Sequence, residues 1–190
     1  MRTFAAVLLA LSALSLACPA SAGQISSLYT SLDLDKCKLV ASNPDEGGSA
    51  EFNCKGLNGM RVRVAEGDLR FFVSYGPNAE KQTAANQTLS PFNTIHKTLE
   101  WRVERVGSKW VPFATILRYF WDSGDGRKGQ TLVVTKLEGD EACHVAHIKA
   151  EGNPGANMQA RQAADTRARG FKCGQTETMR FGPAGERLPR

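Results

Sequence analysis

The side chains able to do chemistry in this chain are its cysteines, its histidines, a group of arginines and the acids of its turns. Cys143-His144 sets a thiol beside an imidazole, the pair used in nucleophilic catalysis. Adjacent strand residues point to opposite faces, however, so His144 is badly placed to activate Cys143. A structural disulfide is the better expectation for that cysteine. His144 and His147 are three apart, which on a regular strand also puts them on opposite faces, and His96 lies in a separate segment. No metal site is expected from them. Asp122-Ser123-Gly124-Asp125-Gly126 lacks the full calcium-loop pattern and its closing glutamate. It reads as a hairpin turn, as does the region of Asp140. The chain carries no Gly-x-Ser-x-Gly elbow, phosphate-cradling loop or zinc-protease helix, and no cofactor is expected.

Arg61, Arg63, Arg70 and Arg102 each fall opposite the main apolar set of an expected strand. If those strands are neighbours, the four make one basic face suited to bidentate contact with carboxylate or phosphate. Glu100 and Glu104 share the face of Arg102, and cross-strand ion pairing is the competing reading. The formal net charge is +5, a mild excess that permits anionic partners without demanding them. The expected partner is an anionic envelope component or a protein; nucleic acid is not expected.

These side chains must be positioned in an oxidising setting. Arg2 is followed by an apolar run from Phe4 to Ala17, and Ala20 and Ala22 occupy the small-residue positions of a signal peptidase site. Residues 1–22 are therefore expected to be a cleaved signal, and the run is short for a permanent membrane anchor, which needs about 20 residues. Ser15-Leu16-Ala17-Cys18 partly resembles a lipoprotein box, but its small and leucine positions are interchanged, so lipidation of Cys18 is the lesser reading. The expected location is periplasmic or secreted. Removing the signal removes Cys18 and leaves Cys37, Cys54, Cys143 and Cys173, an even set bound for a compartment where disulfides persist.

Gly and Pro punctuate the chain, and runs of two-residue alternation lie between them, the pattern of an antiparallel β domain. Residues 36–41 and 49–54 flank the turn cluster Asn43-Pro44-Asp45-Glu46-Gly47-Gly48. Centring that hairpin between Asp45 and Glu46 sets Cys37 opposite Cys54, at a separation a disulfide accepts. A bulge in the turn would shift this register. The remaining pair is then Cys143–Cys173. A second hairpin is expected from 60–65 and 69–75, and a third from 98–106 and 109–121, where Pro112 marks an edge or a bulge. Residues 131–137 read as a central strand and 142–150 as the next. Residues 77–97 alternate little and are expected to hold one short helix, about 80–87, or a long loop.

One helix is expected after Asn153-Pro154, with Asn153 as its cap and an alanine stripe at 156, 160, 163, 164 and 168 laid against the sheet. Arg161, Asp165 and Arg167 are expected to face elsewhere. Gly170 ends it, and Cys173 returns beneath Cys143. Residues 182–190 are expected to be a disordered tail.

The segments Glu66-Gly67-Asp68-Leu69-Arg70-Phe71-Phe72-Val73-Ser74-Tyr75-Gly76, Gln87-Thr88-Leu89-Ser90-Pro91-Phe92-Asn93, Cys143-His144-Val145-Ala146 and Ala160-Arg161-Gln162-Ala163-Ala164-Asp165 resemble those of a family of small exported bacterial proteins of unknown function. The resemblance spans most of residues 30–175. It implies one domain in a bacterial envelope setting and carries no catalytic residue across. The expectation is thus a single mainly β domain over residues 23–181: an antiparallel sandwich or partly open barrel of about eight strands, one C-terminal-region helix and two disulfides. Its leading function is non-enzymatic binding, a hydrolase inhibitor included. The alternative is a hydrolase whose carboxylates converge beside 77–97.

Overall fold

The computed structural model describes residues 23–45 and 48–189. The expected signal segment and Cys18 lie outside the described residues, as do Glu46 and Gly47 of the first turn. The domain is mainly β, as expected, with two sheets, one α-helix and both disulfides among the described residues.

The smaller sheet is a meander of β2 (Lys38–Asn43), β3 (Ser49–Lys55), β4 (Arg61–Gly67) and β5 (Arg70–Tyr75). The larger runs in the order β1 (Ile25–Ser31), β6 (Phe92–Val106), β7 (Lys109–Asp122), β8 (Lys128–Glu138), β9 (Glu141–Lys149), β10 (Met179–Phe181). Ten strands thus replace the expected eight. β1 alternates weakly and gains its structure from pairing along β6, from Ile25 opposite Glu104 to Ser31 opposite Thr98. β10 is three residues long and pairs in parallel with β9, so the large sheet is not wholly antiparallel. Strand β6 begins at Phe92, six residues before the expected Thr98.

The large sheet is covered on both faces. Leu99, Trp101, Val103, Leu117 and Val133 point inward against Val62, Val64, Val73 and Tyr75 of the small sheet. Tyr75 meets Trp101 edge-to-face with centroids 5.9 Å apart. Gly56 is required here, since a Cβ would lie 2.5 Å from the Trp101 ring. On the other face Ile116, Leu132, Val134, Ala146 and Ile148 meet α1 (Ala156–Arg167) through its buried alanines. The result is three layers, helix on sheet on sheet.

Several local expectations shift by a few residues. Lys38 faces Asn53 and Leu39 faces Phe52 in the expected register, and then Ala41 faces Glu51. Val40 is the extra residue of a bulge. The cysteine end keeps its register, and Cys37 bonds Cys54 with Cα atoms 4.6 Å apart. Asp68 and Leu69 have positive φ, 52° and 57°, so Leu69 belongs to the turn and β5 starts at Arg70. A second bulge falls beside Pro112, because Arg102 faces Ala114 while Val103 faces Pro112. The helix starts at Ala156 rather than Pro154: the Asn153 carboxamide accepts the Gly155 N–H at 3.0 Å and closes a turn ahead of it. Through Pro189 the C-terminal residues are placed, folding back so that Leu188 N–H reaches the Arg180 carbonyl at 2.8 Å.

The helix is also held by charge, which corrects the expectation that Arg161 and Asp165 face away. Arg161 bonds Glu100, Asp165 takes both Nε and Nη2 of Arg102 at 2.9 and 2.7 Å, and Arg169 just past the helix bonds Glu104 at 2.8 Å. Residues four apart on a helix rise about 6 Å, and residues two apart on a strand about 6.6–6.8 Å. The two spacings match, so three pairs of alternating sign zip the helix to β6. Ser27 of β1 bridges Glu100 and Arg102.

The Arg102 side chain is only 9% exposed, so removing its partner strands a nearly buried charge. Asp165→Ala should lower unfolding free energy by on the order of 3 kcal/mol. Reversing both charges, Arg102→Asp with Asp165→Arg, should restore part of it. Urea denaturation of the native protein, Arg102→Asp, Asp165→Arg and the double reversal measures the coupling; additivity of the two single changes would show that the pair does not hold the helix.

Candidate functional site

Residues 77–91 fold as a strap, and two short 3-10 turns, Ala79–Lys81 and Thr83–Asn86, stand where one short helix or a long loop was expected. The strap lies along the free edge of β5. That edge presents the N–H and C=O groups of Phe71 and Tyr75, which a further strand would otherwise bind. Side chains take that role. Gln82 accepts from Tyr75 N–H at 3.0 Å, donates to the Tyr75 carbonyl, and donates again to the Asp140 carbonyl across the gap at 3.1 Å. Asn93 accepts from Phe71 N–H at 3.0 Å and donates to the carbonyls of Leu89 and Pro91. Thr88 donates to the Phe71 carbonyl at 2.7 Å. Gln87 reaches β9 and accepts His144 N–H at 2.7 Å. The strap therefore closes the open side of the sandwich.

Beyond its end, β6 emerges with Phe92 and forms one wall of a cleft of about 710 Å³. Phe71, Phe92, Phe120 and Trp121 supply aromatic surface, and Glu66, Asp122, Glu151 and Lys128 supply charge. Lys128 is already bound to Asp122 at 2.8 Å. That hydrogen bond, with one from Gly124 N–H, holds the Asp122 carboxyl below its usual range, so it is ionised and accepts hydrogen bonds. Gly129 lets the Trp121 indole and the Glu151 carboxylate lie against β8, where a Cβ would come within 2.4 Å of the ring. Trp121 Nε1 donates to Thr131 at 3.2 Å and fixes the indole. The cleft holds three carboxylates and one cation, and that cation is neutralised. The cavity at the opposite end, about 960 Å³, is lined mainly by apolar groups such as Leu57, Met60 and Trp110, with Arg61 at its edge.

The four arginines do not form one face. Arg61 and Arg63 alternate with the inward Val62 and Val64, so they lie on the outer face of the small sheet, where Arg63 pairs with Glu51 and Arg61 with Glu80. Arg70 pairs with Asp68, lies 5.7 Å over the Phe92 ring and donates to the Ser90 carbonyl at 3.0 Å. Arg102 is in the other sheet, beneath the helix. Alternation put each arginine opposite its strand's core set; β4 and β5 are neighbours, so Arg61, Arg63 and Arg70 share the outer face of the small sheet, while Arg102 on β6 belongs to the facing sheet and lies apart. Cys143 and Cys173 are joined, Cα atoms 5.7 Å apart, which ties β9 to the chain after α1.

The histidines were misplaced by assuming a regular strand. In β9 His144 faces Thr135, but Ala146 faces Val134, so Val145 is an inserted bulge residue. The bulge returns His144 and His147 to the same inward face, with His144 Nδ1 and His147 Nε2 3.1 Å apart. No sequence signal marks such a bulge. Burial, and then the neighbouring His147, pushes the His144 imidazole well below its usual range; burial, and then Arg180, pulls His147 from 6.5 down to about 4. Neither histidine joins a cluster of three or more potential metal ligands among the described residues.

Compared with known proteins, the chain matches no family model, no curated protein and no solved structure.

The histidine pair gives stability a defined pH dependence. Between about pH 6.5 and 4 the unfolded chain binds protons that folded His147 excludes, so stability falls as pH drops through that window. This group alone should remove about 3 kcal/mol, complete near pH 4. Urea midpoints between pH 7 and 4 should fall steeply in the native protein and less in His147→Gln; equal slopes would contradict the neutral, buried assignment.

Proposed function

We propose that this is an exported binding domain whose aromatic cleft takes a cationic segment of a protein partner. The observation that carries the reading is the cleft's composition: four aromatic rings beside three carboxylates whose one lysine is bound to Asp122. Ring faces attract cations through their quadrupole, and carboxylates add charge-assisted hydrogen bonds. The protein's own Arg70 over Phe92 uses the same chemistry. The two disulfides and the absence, among the described residues, of a helix long and apolar enough to cross a membrane accord with an exported domain. The resemblance to small exported bacterial proteins points to an envelope setting. An anionic partner held on a shared arginine face is not carried forward, since each of those arginines has its own carboxylate.

The hydrolase alternative retains one observation in its favour: Glu66, Asp122 and Glu151 line a concave site beside residues 92–94. Hydrolysis by paired acids needs one of them protonated and one ionised, and Asp122 is held in the ionised form.

The test uses a short arginine-rich peptide and an acidic control, followed by tryptophan fluorescence and calorimetry. The basic peptide should bind saturably, weaken with salt, and lose roughly tenfold in affinity with Phe92→Ala or Glu66→Gln. No binding of the basic peptide would overturn the reading. Turnover of a glycoside or ester that disappears in Glu66→Gln or Glu151→Gln would establish the hydrolase instead.

A further inference from the structure

We propose that a second pocket, bounded by His147, Lys149 and Arg180, is a binding site for a phosphate group. It is distinct from the aromatic cleft and lies across Trp121 from it, on the inward face of the large sheet where the strap replaces the small sheet. The cavity is about 310 Å³, walled by Ser90 and Pro91 of the strap, by Trp121, and by Phe181 and Leu188 of the C-terminal return.

Three features point to an anion. The first is charge. Lys149 and Arg180 line the pocket, no acidic residue does, and neither cation has an ion pair among the described residues. This separates them from Arg61, Arg63, Arg70 and Arg102, every one of which has a carboxylate. The Glu151 carboxylate is turned to the other side, against Gly129 in the aromatic cleft.

The second is register. Arg180 is directly across from His147 on the neighbouring strand, and Lys149 is two residues along β9 on the same face. Sheet geometry sets those backbone separations at about 4.8 and 6.6 Å. Long cationic side chains from such a triangle can converge on one compact oxyanion.

The third is the supply of donors. Nε2 of His147 is engaged with Nδ1 of His144, which leaves its own Nδ1 for the pocket. An anion there favours the tautomer in which His144 donates to His147 and His147 donates to the anion. The Thr131 hydroxyl accepts from Trp121, so its proton is available, and Ser90 adds a second hydroxyl. A guanidinium, an ammonium, an imidazole and two hydroxyls offer more donors than a carboxylate's two oxygens use well. Phosphate, with more acceptor oxygens and higher charge, fits that set better.

Inorganic phosphate is the probe, titrated into the millimolar range at constant ionic strength while the imidazole nitrogens of His147 are followed by NMR. A saturable shift is expected in the native protein, weakened roughly tenfold in Lys149→Gln and in Arg180→Gln. Both residues are exposed, so the variants should fold. Absence of a saturable shift, or a shift unchanged in both variants, overturns the proposal. Sedimentation with vesicles of anionic phospholipid then identifies the source. Retention lost in both variants assigns the phosphate to a lipid headgroup, and a phosphate shift without retention assigns it to a soluble phosphorylated ligand. Neither variant touches the aromatic cleft, so peptide binding there is read separately.

Discussion

The two sheets leave a gap along one side, and three carboxamides close it. Gln82, Gln87 and Asn93 bond the backbone groups that β5 and β9 present to that gap. An edge of unpaired backbone is costly if buried and adhesive if exposed. A fifth strand would satisfy it but would also fill the space now left to the cleft and the smaller pocket. Side-chain amides satisfy the edge in less volume. Both candidate sites depend on this: Asn93 fixes the start of β6 and so the position of Phe92, while Ser90 and Pro91 wall the pocket over His147.

The opposite face solves a different problem. An alanine stripe lets α1 lie close to the sheet, but each alanine buries little area. Directional contacts supplement it, three ion pairs along β6 and the Cys143–Cys173 bridge. Once the helix is seated, Cys173 sets where the chain returns, and β10 follows beside β9. That return carries Arg180 to the inward face beside His147. The helix contributes no residue to the phosphate pocket, yet it determines where one of its cations stands.

Features set by short-range chemistry were legible in the sequence. The turn cluster at 43–48 and the alternation around it located the first disulfide, and the alanine spacing located the helix. Features set by pairing between distant segments were not. β1 and β10 have little pattern of their own, and their places come from β6 and β9. The bulge at Val145 reversed the reading of the histidines, because a single inserted residue changes which side chains share a face. Arg61, Arg63 and Arg70 do share one face of the small sheet, but Arg102 stands in the facing sheet, since alternation does not say which sheet a strand joins. The strap looked like a loop because its hydrogen bonds come from polar side chains, whose reach composition does not reveal.

The central claim is that the strap is part of the folded framework and holds the sites in place. Native-state hydrogen exchange tests it at three backbone amides, those of Phe71, Tyr75 and His144, whose acceptors are the strap carboxamides and Asn93. The account predicts that all three exchange with the same opening free energy as the core strand amides of Val64 and Val133. Fast exchange at these three while the core stays protected would show the strap opening on its own, and would contradict the account.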